Sequence, residues 1–348
     1  MHSKALTGLC GFAAALLFLG IGSVSRAQDE RPSYDGFRDG VFLRYLNARG
    51  AGIAAPPRIG LSFGSRTIRA VLDSGSTGVV VAAALIPDFD SLPSLGEGKL
   101  TYTSSGRIML GRWVTTPLAL VGQDGARLET EPMPVLAVTR VRCLQHARSC
   151  TPNDAPRSIA MVGVGFGREG DRQSRGTPDK NPLLRAMASG AERRRGYVLG
   201  AEGVHVGLTE ANTRGDFTFV KLMRQPDRPD WSAVPACFSL NGQAPPACGN
   251  MLVDTGVAAM FMTAPPAQTG AMTGTLATGT EVSIRLGTAE QSSELYRFTV
   301  GGQSPLAPDR IHLRVSRDRV FVNTSFRLLN GFDMLYDADG GYAGFRKR

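Results

Sequence analysis

A short aspartate-centred segment occurs twice in this chain of 348 residues, once in each half. Residues 71–78 read V-L-D-S-G-S-T-G, and residues 252–257 read L-V-D-T-G-V. Each copy places an aspartate, Asp73 or Asp254, after an apolar run and before a hydroxyl residue and a glycine. Such a run is typical of a strand that ends in a turn. The two aspartates are separated along the chain by about the length of one small domain. The repeat therefore predicts two related halves.

The two aspartates are predicted to meet where the halves touch. Burying a carboxylate at the end of an apolar strand costs free energy unless the carboxylate is hydrogen-bonded. Buried carboxylates of this kind are typical of functional sites. The following glycines, Gly75 and Gly256, leave room for backbone N–H groups to approach it. Two close carboxylates cannot both ionise easily, so they share a proton and can do acid–base work on one water molecule. One such turn would be ordinary, but two copies favour a site.

The first residues are typical of an export signal. Residues 5–24 are largely apolar, and Ser25-Arg26-Ala27 ends in the small-x-small pattern of a cleavage site. We expect cleavage near Ala27, a mature start at Gln28 and a secreted or periplasmic protein with no stable membrane span. A retained membrane anchor is the alternative, because the apolar stretch is near spanning length.

The charge balance is basic, with a formal net charge of +9 for the whole sequence. The basic residues are scattered, and the one tight run, Arg193-Arg194-Arg195, is interpreted as a solvated loop. Neither interleaved aromatic residues nor zinc-finger spacing accompanies it. We therefore expect no nucleic-acid partner.

Four cysteines lie beyond the signal segment, and an even number in an exported chain favours disulfide bonds. Proximity favours pairing Cys143 with Cys150 and Cys237 with Cys248, although four cysteines allow three pairings. Cys143, His146 and Cys150 could instead hold zinc, but no acidic partner is obvious nearby. We expect disulfides, with no metal and no cofactor.

The chain is predicted to be all-β, because short apolar runs are broken by Gly, Pro, Asn or Asp about every ten residues. Helical periodicity persists only in stretches such as 181–189 and 324–330. Asp339-Gly340 predicts a hairpin turn, and the Ala/Thr/Gly-rich segment 264–280 predicts a long surface loop. Strands are expected at 57–63, 67–73, 108–121, 132–141, 159–166, 217–222, 282–286, 311–315 and 319–322.

The order of these segments resembles that of the pepsin-like aspartic proteases over most of residues 55–348. The resembling segments are the opening hairpin with the first catalytic loop (56–75), the flap (100–111), the strand beneath the first aspartate (161–167), the segment that joins the lobes (196–208) and the closing helix with its strand pair (325–345). Their common order is more specific than any one of them.

The resemblance implies a bilobal all-β fold with a cleft between two related lobes. The expected divisions are a signal peptide at 1–27, an N-terminal lobe at 28–200 and a C-terminal lobe at 201–348. Asp73 and Asp254 would be the catalytic pair, supported by Gly75, Ser76 and Gly256. Ser74 and Thr255 would brace the two loops across the interface, and Tyr102, at the position of the flap tyrosine, would close over the substrate.

Three departures from the family pattern bear on activity. The family usually has a second hydroxyl residue two positions beyond the hydroxyl of D-[ST]-G, hydrogen-bonded to the outer carboxylate oxygen. Ser76 supplies it in the first loop, but Val257 cannot in the second. The first loop normally continues to a tryptophan that bonds the flap tyrosine, and here the sequence is V-V-V at 79–81. The apolar-apolar-Gly strand of the second lobe is replaced by V-F-V-N-T at 320–324.

Two functions remain open from the sequence. The first is an exported, monomeric aspartic endopeptidase that hydrolyses peptide or protein substrates through a water held by the two aspartates. The second is a catalytically weak relative that holds a peptide or glycan in the cleft. The intact pair of D-[ST]-G turns favours the first, and Val257 with the altered 320–324 favours the second. The missing hydroxyl at Val257 also predicts that Asp254 lacks the donor that Asp73 has.

Overall fold

The computed structural model describes residues 1–2, 31–50, 52–102, 105–145, 147, 150–168, 177–186, 193–270 and 272–348. Within these ranges the chain is all-β, as the sequence predicts, and its strands form three sheets. The predicted signal segment, with its expected cleavage site near Ala27, falls outside the described residues, as does His146.

The first sheet has nine strands in the order β5-β6-β9-β4-β10-β3-β2-β7-β8. Its centre is fully buried, since all six residues of β4 are buried between β9 and β10. This explains the continuous V-V-V run at 79–81, because a strand covered on both faces is apolar throughout. The strands are β2 Arg58–Phe63, β3 Arg66–Asp73, β4 Thr77–Ala82, β5 Ser94–Tyr102, β6 Arg107–Thr116, β7 Ala119–Val121, β8 Arg127–Glu129, β9 Met133–Cys143 and β10 Ala160–Val164.

The second sheet has eight strands in the order β17-β20-β16-β21-β15-β14-β18-β19. Its strands are β14 Val234–Leu240, β15 Ala247–Leu252, β16 Met260–Ala264, β17 Gly274–Thr275, β18 Glu281–Gly287, β19 Ser292–Thr299, β20 Ile311–Val315 and β21 Phe321–Asn323.

The third sheet has six strands, all antiparallel, in the order β1-β12-β11-β22-β23-β13. The predicted lobe boundary at 200/201 lies in the turn between two of these strands, β11 and β12. The strands are β1 Val41–Arg44, β11 Arg194–Leu199, β12 Gly203–Leu208, β13 Phe217–Lys221, β22 Phe332–Asp337 and β23 Tyr342–Lys347.

The first two sheets contain the same arrangement of five strands. In the nine-stranded sheet, β9 runs parallel to β4, β4 antiparallel to β10, β10 parallel to β3, and β3 antiparallel to β2. In the eight-stranded sheet, β20, β16, β21, β15 and β14 repeat this order with the same directions. Each aspartate-centred loop joins equivalent strands, β3 to β4 and β15 to β16. The sequence repeat is therefore a repeat of topology.

One contiguous apolar cluster joins the three sheets. It includes Leu72 from the first, Met251 from the second and Tyr336 from the third. The rings of Phe166 and Tyr336 stack with centroids 3.9 Å apart, which ties the segment after β10 to the third sheet. Residues near the two aspartates are thus held in place by packing against all three sheets.

Two local predictions differ from the structure. The stretch 181–189 is not helical where it is described: Asn181 follows a 3-10 turn at Pro178–Lys180, and its side-chain oxygen accepts the Leu183 N–H at 3.0 Å. This bond to a side chain takes the place of the backbone hydrogen bond that the Leu183 N–H would make in a helix. The segment 264–280 is not a simple loop, because it contains α1 Pro266–Thr269 and β17. Its buried Gln268 donates to the carbonyl oxygens of Gln243 and Pro245.

The Arg193-Arg194-Arg195 run is not a solvated loop. Each arginine pairs with an aspartate, namely Asp39, Asp337 and Asp339, at 3.0, 2.8 and 2.7 Å respectively. Arg194 and Arg195 begin β11, so the run is part of the third sheet.

Two disulfide bonds join neighbouring cysteines. Cys143 at the end of β9 pairs with Cys150, and Cys237 on β14 pairs with Cys248, which lies opposite it on β15. These are the pairs that proximity favours. The first bond occupies both sulfurs of the alternative zinc site, so neither is available as a thiolate ligand. Disulfides are compatible with an oxidising compartment.

No helix in the described ranges combines the length and apolar character needed to cross a membrane.

Candidate functional site

The two aspartates lie at equivalent strand ends and face each other. Asp73 is the last residue of β3, and Asp254 follows β15 by two residues. Both are buried, with 4% and 8% of their surface exposed. A mutual hydrogen bond contributes to the pKa of Asp254, so the two carboxyl groups are direct neighbours. The structure thus brings together the pair that the sequence predicts.

Ser74 and Thr255 clasp the two loops by reciprocal hydrogen bonds. The Ser74 N–H donates to Thr255 Oγ1 at 2.9 Å, and the Thr255 N–H donates to Ser74 Oγ at 3.1 Å. Each hydroxyl then donates to a carbonyl oxygen of the other loop at 2.6 Å, Ser74 to Val253 and Thr255 to Leu72. Each side chain therefore satisfies buried backbone groups of the opposite half, and the clasp has two-fold character.

The loop glycines are required by the approach of the opposite carboxylate. A Cβ on Gly75 would lie 2.3 Å from Asp254 Cγ, and one on Gly256 would lie 2.5 Å from Asp73 Oδ1. Real Cβ contacts are never this short, so only glycine fits. The same residues donate backbone N–H groups to their own aspartates, Gly75 to Asp73 at 2.8 Å and Gly256 to Asp254 at 3.0 Å.

The second donor differs between the two carboxylates. Ser76 Oγ donates to Asp73 Oδ2 at 2.5 Å, as expected. Asn323 Nδ2 donates to Asp254 Oδ2 at 2.6 Å. The Asn323 oxygen accepts the Ser325 N–H at 3.0 Å, which orients the amide so that its NH2 group faces Asp254. The prediction that Asp254 lacks a side-chain donor is therefore wrong, although Val257 itself supplies none.

Strand register explains how Asn323 reaches the site. Asn323 pairs with Leu252 and Phe261, two residues before and seven after Asp254. Met161 in β10 pairs with the equivalent neighbours of Asp73, namely Val71 and Val80. Asn323 thus occupies the position of Met161, in a strand that the sequence pattern marks only as altered. The one sequence signal for this role of Asn323 was its polar side chain at the end of the apolar run V-F-V at 320–322.

Burial dominates the proton affinity of Asp254. Loss of solvent, then the charge of Asp73, raises the pKa of Asp254 to about 7, while Asn323 and Arg168 act in the opposite direction. A carboxyl with this pKa keeps its proton close to neutral pH. One buried neighbour that is protonated beside one that can ionise is the arrangement that both donates and accepts protons at a single bound molecule.

Arg168 lies beside the pair and was not singled out from the sequence. It is only 8% exposed, and its Nε donates to the Gly75 carbonyl oxygen at 2.8 Å. The aromatic stack of Phe166 precedes it and holds the segment in place. The buried guanidinium lowers the pKa of Asp254 and so favours its ionised form.

Tyr102 ends β5 in the hairpin of β5 and β6 and lines the same cleft as both aspartates. Burial, then the charge of Asp73, raises the pKa of its phenol. Ser76 acts on this pKa in the opposite direction, although the phenol hydroxyl forms no well-oriented hydrogen bond with a described residue. Residues 103–104, at the hairpin tip, fall outside the described residues.

An indole lies near this hairpin although the first loop provides none. Trp113 of β6 is buried in one apolar cluster with Val80 and Leu100, and Tyr102 packs against that cluster. The indole and the flap tyrosine position therefore share one apolar cluster, although the indole comes from β6 rather than from the first loop.

A cleft of about 810 Å³ opens over the aspartates. Its walls come from the β5–β6 hairpin, which contributes Tyr102, and from the eight-stranded sheet, where β16 contributes Phe261. A second cavity, of about 400 Å³, shares Arg168, Leu252, Arg319 and Phe321 with the cleft. The two volumes are of a size that accommodates several residues of an extended chain.

No protein-family model matches the chain, and no curated protein matches it at a significant level.

Proposed function

We propose that this protein is a divergent member of the pepsin-like aspartic proteases and acts as an exported endopeptidase. In this proposal the nine-stranded and eight-stranded sheets are the cores of the two lobes, and the cleft between them holds the substrate. The five-strand repeat supports this assignment, because duplicated lobes should share topology. The disulfides support an exported chain.

The observation that carries the proposal is the reciprocal geometry around the carboxylates. Each aspartate receives a backbone N–H and a side-chain donor, and each loop glycine leaves space for the opposite carboxylate. A structural turn needs neither the close pair nor its cross-braced loops. Burying two carboxylates together is costly, and that cost is characteristic of functional sites.

The proposed reaction uses the two carboxyl groups in different roles. Asp254, whose pKa is raised to about 7, holds the shared proton. Asp73, held by Gly75 and Ser76, acts as the general base and takes a proton from a water molecule bound between the pair. That water attacks the scissile carbonyl carbon while Asp254 donates its proton to the carbonyl oxygen, which gives a tetrahedral diol. The proton on Asp73 then passes to the amide nitrogen as the C–N bond breaks, and a diol hydroxyl returns its proton to Asp254, so that the acid and amine products leave and the pair regains its starting state. Tyr102 closes over the substrate.

Asn323 weakens the case for an inactive binding protein. That alternative rested on the missing hydroxyl at Val257 and the altered segment 320–324. Because Asn323 donates to Asp254 from within that segment, the second carboxylate has as many donors as the first. We therefore propose hydrolysis rather than binding alone.

The test is digestion of casein and a peptide library between about pH 3 and pH 9, with and without pepstatin. The protein lacking residues 1–27 should hydrolyse peptides, and Asp73→Asn or Asp254→Asn should lower the rate by roughly 1000-fold or more. Asp318→Asn is the matched control, because Asp318 is exposed and does not line the cleft. A folded Asp254→Asn protein that cleaves at the parent rate would show the assignment to be wrong.

A further inference from the structure

The ionisable groups that line the cleft are strongly unbalanced in charge. Within the described ranges its acidic residues are Asp73 and Asp254 alone, and they share a proton when Asp254 is protonated. Four arginines line the same cleft: Arg107, Arg168, Arg314 and Arg319. The cleft therefore carries positive charge around an anionic centre. The size of the cleft also suits an extended chain.

Two of these arginines lie on different walls and are not paired. Arg107 begins β6 in the β5–β6 hairpin, and Arg314 lies on β20 of the eight-stranded sheet. Both are exposed, and neither makes an ion pair with a described residue. Elsewhere arginines pair with carboxylates, as Arg346 does with Asp333 at 2.7 Å.

The other two arginines line both the cleft and the second cavity. Arg168 and Arg319 therefore present positive charge where the two spaces lie side by side. Arg168 is buried and braced by the Gly75 carbonyl oxygen, which places a fixed positive charge next to the reacting centre. Guanidinium groups bind carboxylates by charge-assisted hydrogen bonds, and a low local dielectric strengthens such bonds.

We propose that the cleft selects acidic peptides, whose aspartate or glutamate side chains near the scissile bond pair with Arg107 and Arg314 on the walls and with Arg168 at the centre. This inference rests on the proposed peptidase function for its site, but it makes a separate claim about which peptides bind. Apolar lining residues such as Phe261 and Met109 take the side chains between the acidic ones.

The test separates binding from hydrolysis. Three labelled peptides of about ten residues, identical except for glutamate, glutamine or lysine at four positions flanking the centre, are titrated into the Asp254→Asn protein by fluorescence anisotropy. We expect the glutamate peptide to bind about tenfold or more tighter than the glutamine peptide at low salt, and the difference to shrink as salt is added.

Charge reversal identifies the residues responsible. Arg107→Glu and Arg314→Glu, each added to the Asp254→Asn protein, should abolish or invert the preference for glutamate. Arg317→Glu is the matched control, since Arg317 is exposed and lies three residues beyond Arg314 but does not line the cleft. It changes the net charge equally and should leave the preference intact.

Each outcome bears on one proposal. Equal binding of the glutamate and glutamine peptides, no binding of any peptide, or an equal effect of Arg317→Glu would overturn the acidic selectivity. If the glutamate peptide binds as expected but the parent protein cleaves none of the three, the selectivity stands and the peptidase function fails. If the parent cleaves all three with equal kcat/KM, the peptidase function stands and the selectivity fails.

Discussion

The two carboxylates receive equal numbers of hydrogen bonds from different kinds of residue. Asp73 has Ser76 from its own loop, whereas Asp254 has Asn323 from a strand that lies 69 positions further along the chain. A donor on the same loop moves with its aspartate, but a donor on β21 keeps its place only while β21 stays paired with β15. Asp254 therefore depends on the packing of the whole eight-stranded sheet.

Replacing Asn323 with alanine should move the alkaline limb of the activity profile to higher pH. The ionised form of Asp254 loses its 2.6 Å donor, so the pKa of Asp254 rises further above its present value of about 7. The singly protonated pair then persists to higher pH, and we expect the limb in kcat/KM to shift upward by roughly 1 unit. The maximum kcat should fall because the carboxyl group is less well oriented.

Val257→Thr provides the control for this prediction. In the parent it should leave the limb in place, because Asp254 Oδ2 already has a donor. In the Asn323→Ala background the new hydroxyl should bring the limb back towards its original pH. An unchanged limb in folded Asn323→Ala, or a large shift from Val257→Thr alone, would contradict the assignment.

At the scale of elements, each disulfide closes a short loop beside strands of one of the two larger sheets. Cys143–Cys150 lies at the end of β9, and Cys237–Cys248 crosses between β14 and β15. Sequence separations of 7 and 11 residues correspond to about 2–3 kcal/mol of stabilisation each in the chain-entropy description.

We expect no free thiols in the denatured, unreduced protein that lacks residues 1–27. Replacing either pair by alanine should lower the free energy of unfolding by about 2–3 kcal/mol, as measured by urea unfolding. Because the loops are of similar length, the two losses should be similar, and each variant serves as the control for the other. Four titratable thiols, or a variant as stable as the parent, would contradict the prediction.

Strand positions were largely predictable, because the pattern of apolar runs and turn residues is local. The predicted strands 57–63, 67–73 and 311–315 correspond closely to β2, β3 and β20. Local pattern failed where one side chain replaces backbone hydrogen bonds, as Asn181 does. It failed again where α1 is held by the buried Gln268, because its partners lie about 25 residues away.

The candidate site was predictable only in part, for a similar physical reason. Residues that belong to a recurring loop, such as Asp73, Ser76 and Asp254, could be found from their spacing. Asn323 and Arg168 could not, because each reaches the aspartates through strand register or aromatic packing that has no short sequence signature.

At the scale of the molecule, the clasp between Ser74 and Thr255 is a link between sheets rather than within one. Its four reciprocal bonds join backbone groups that would otherwise be buried without partners. Losing one side of the clasp should affect both stability and the spacing of the carboxylates.

Ser74→Ala should lower the free energy of unfolding by about 1–3 kcal/mol, because the buried Thr255 N–H loses its acceptor. Activity should also fall, since the carboxyl groups are no longer held at their working distance. Ser62→Ala is the matched control: Ser62 is equally buried, but its hydroxyl bonds only Gly64 in its own hairpin. If urea unfolding shows that the two variants lose the same free energy of unfolding, the clasp has no special role.

The separation of the site residues along the chain also determines when the site comes into being. A ribosome that has finished the nine-stranded sheet has made Asp73 but neither Asp254 nor Asn323, which is the last of these residues to be synthesised. Until residues 254 and 255 have been made, the first carboxylate has no neighbour with which to share a proton, and the first loop has no hydroxyl partner. The chemistry proposed for the pair must therefore wait until both halves of the site have been made and folded.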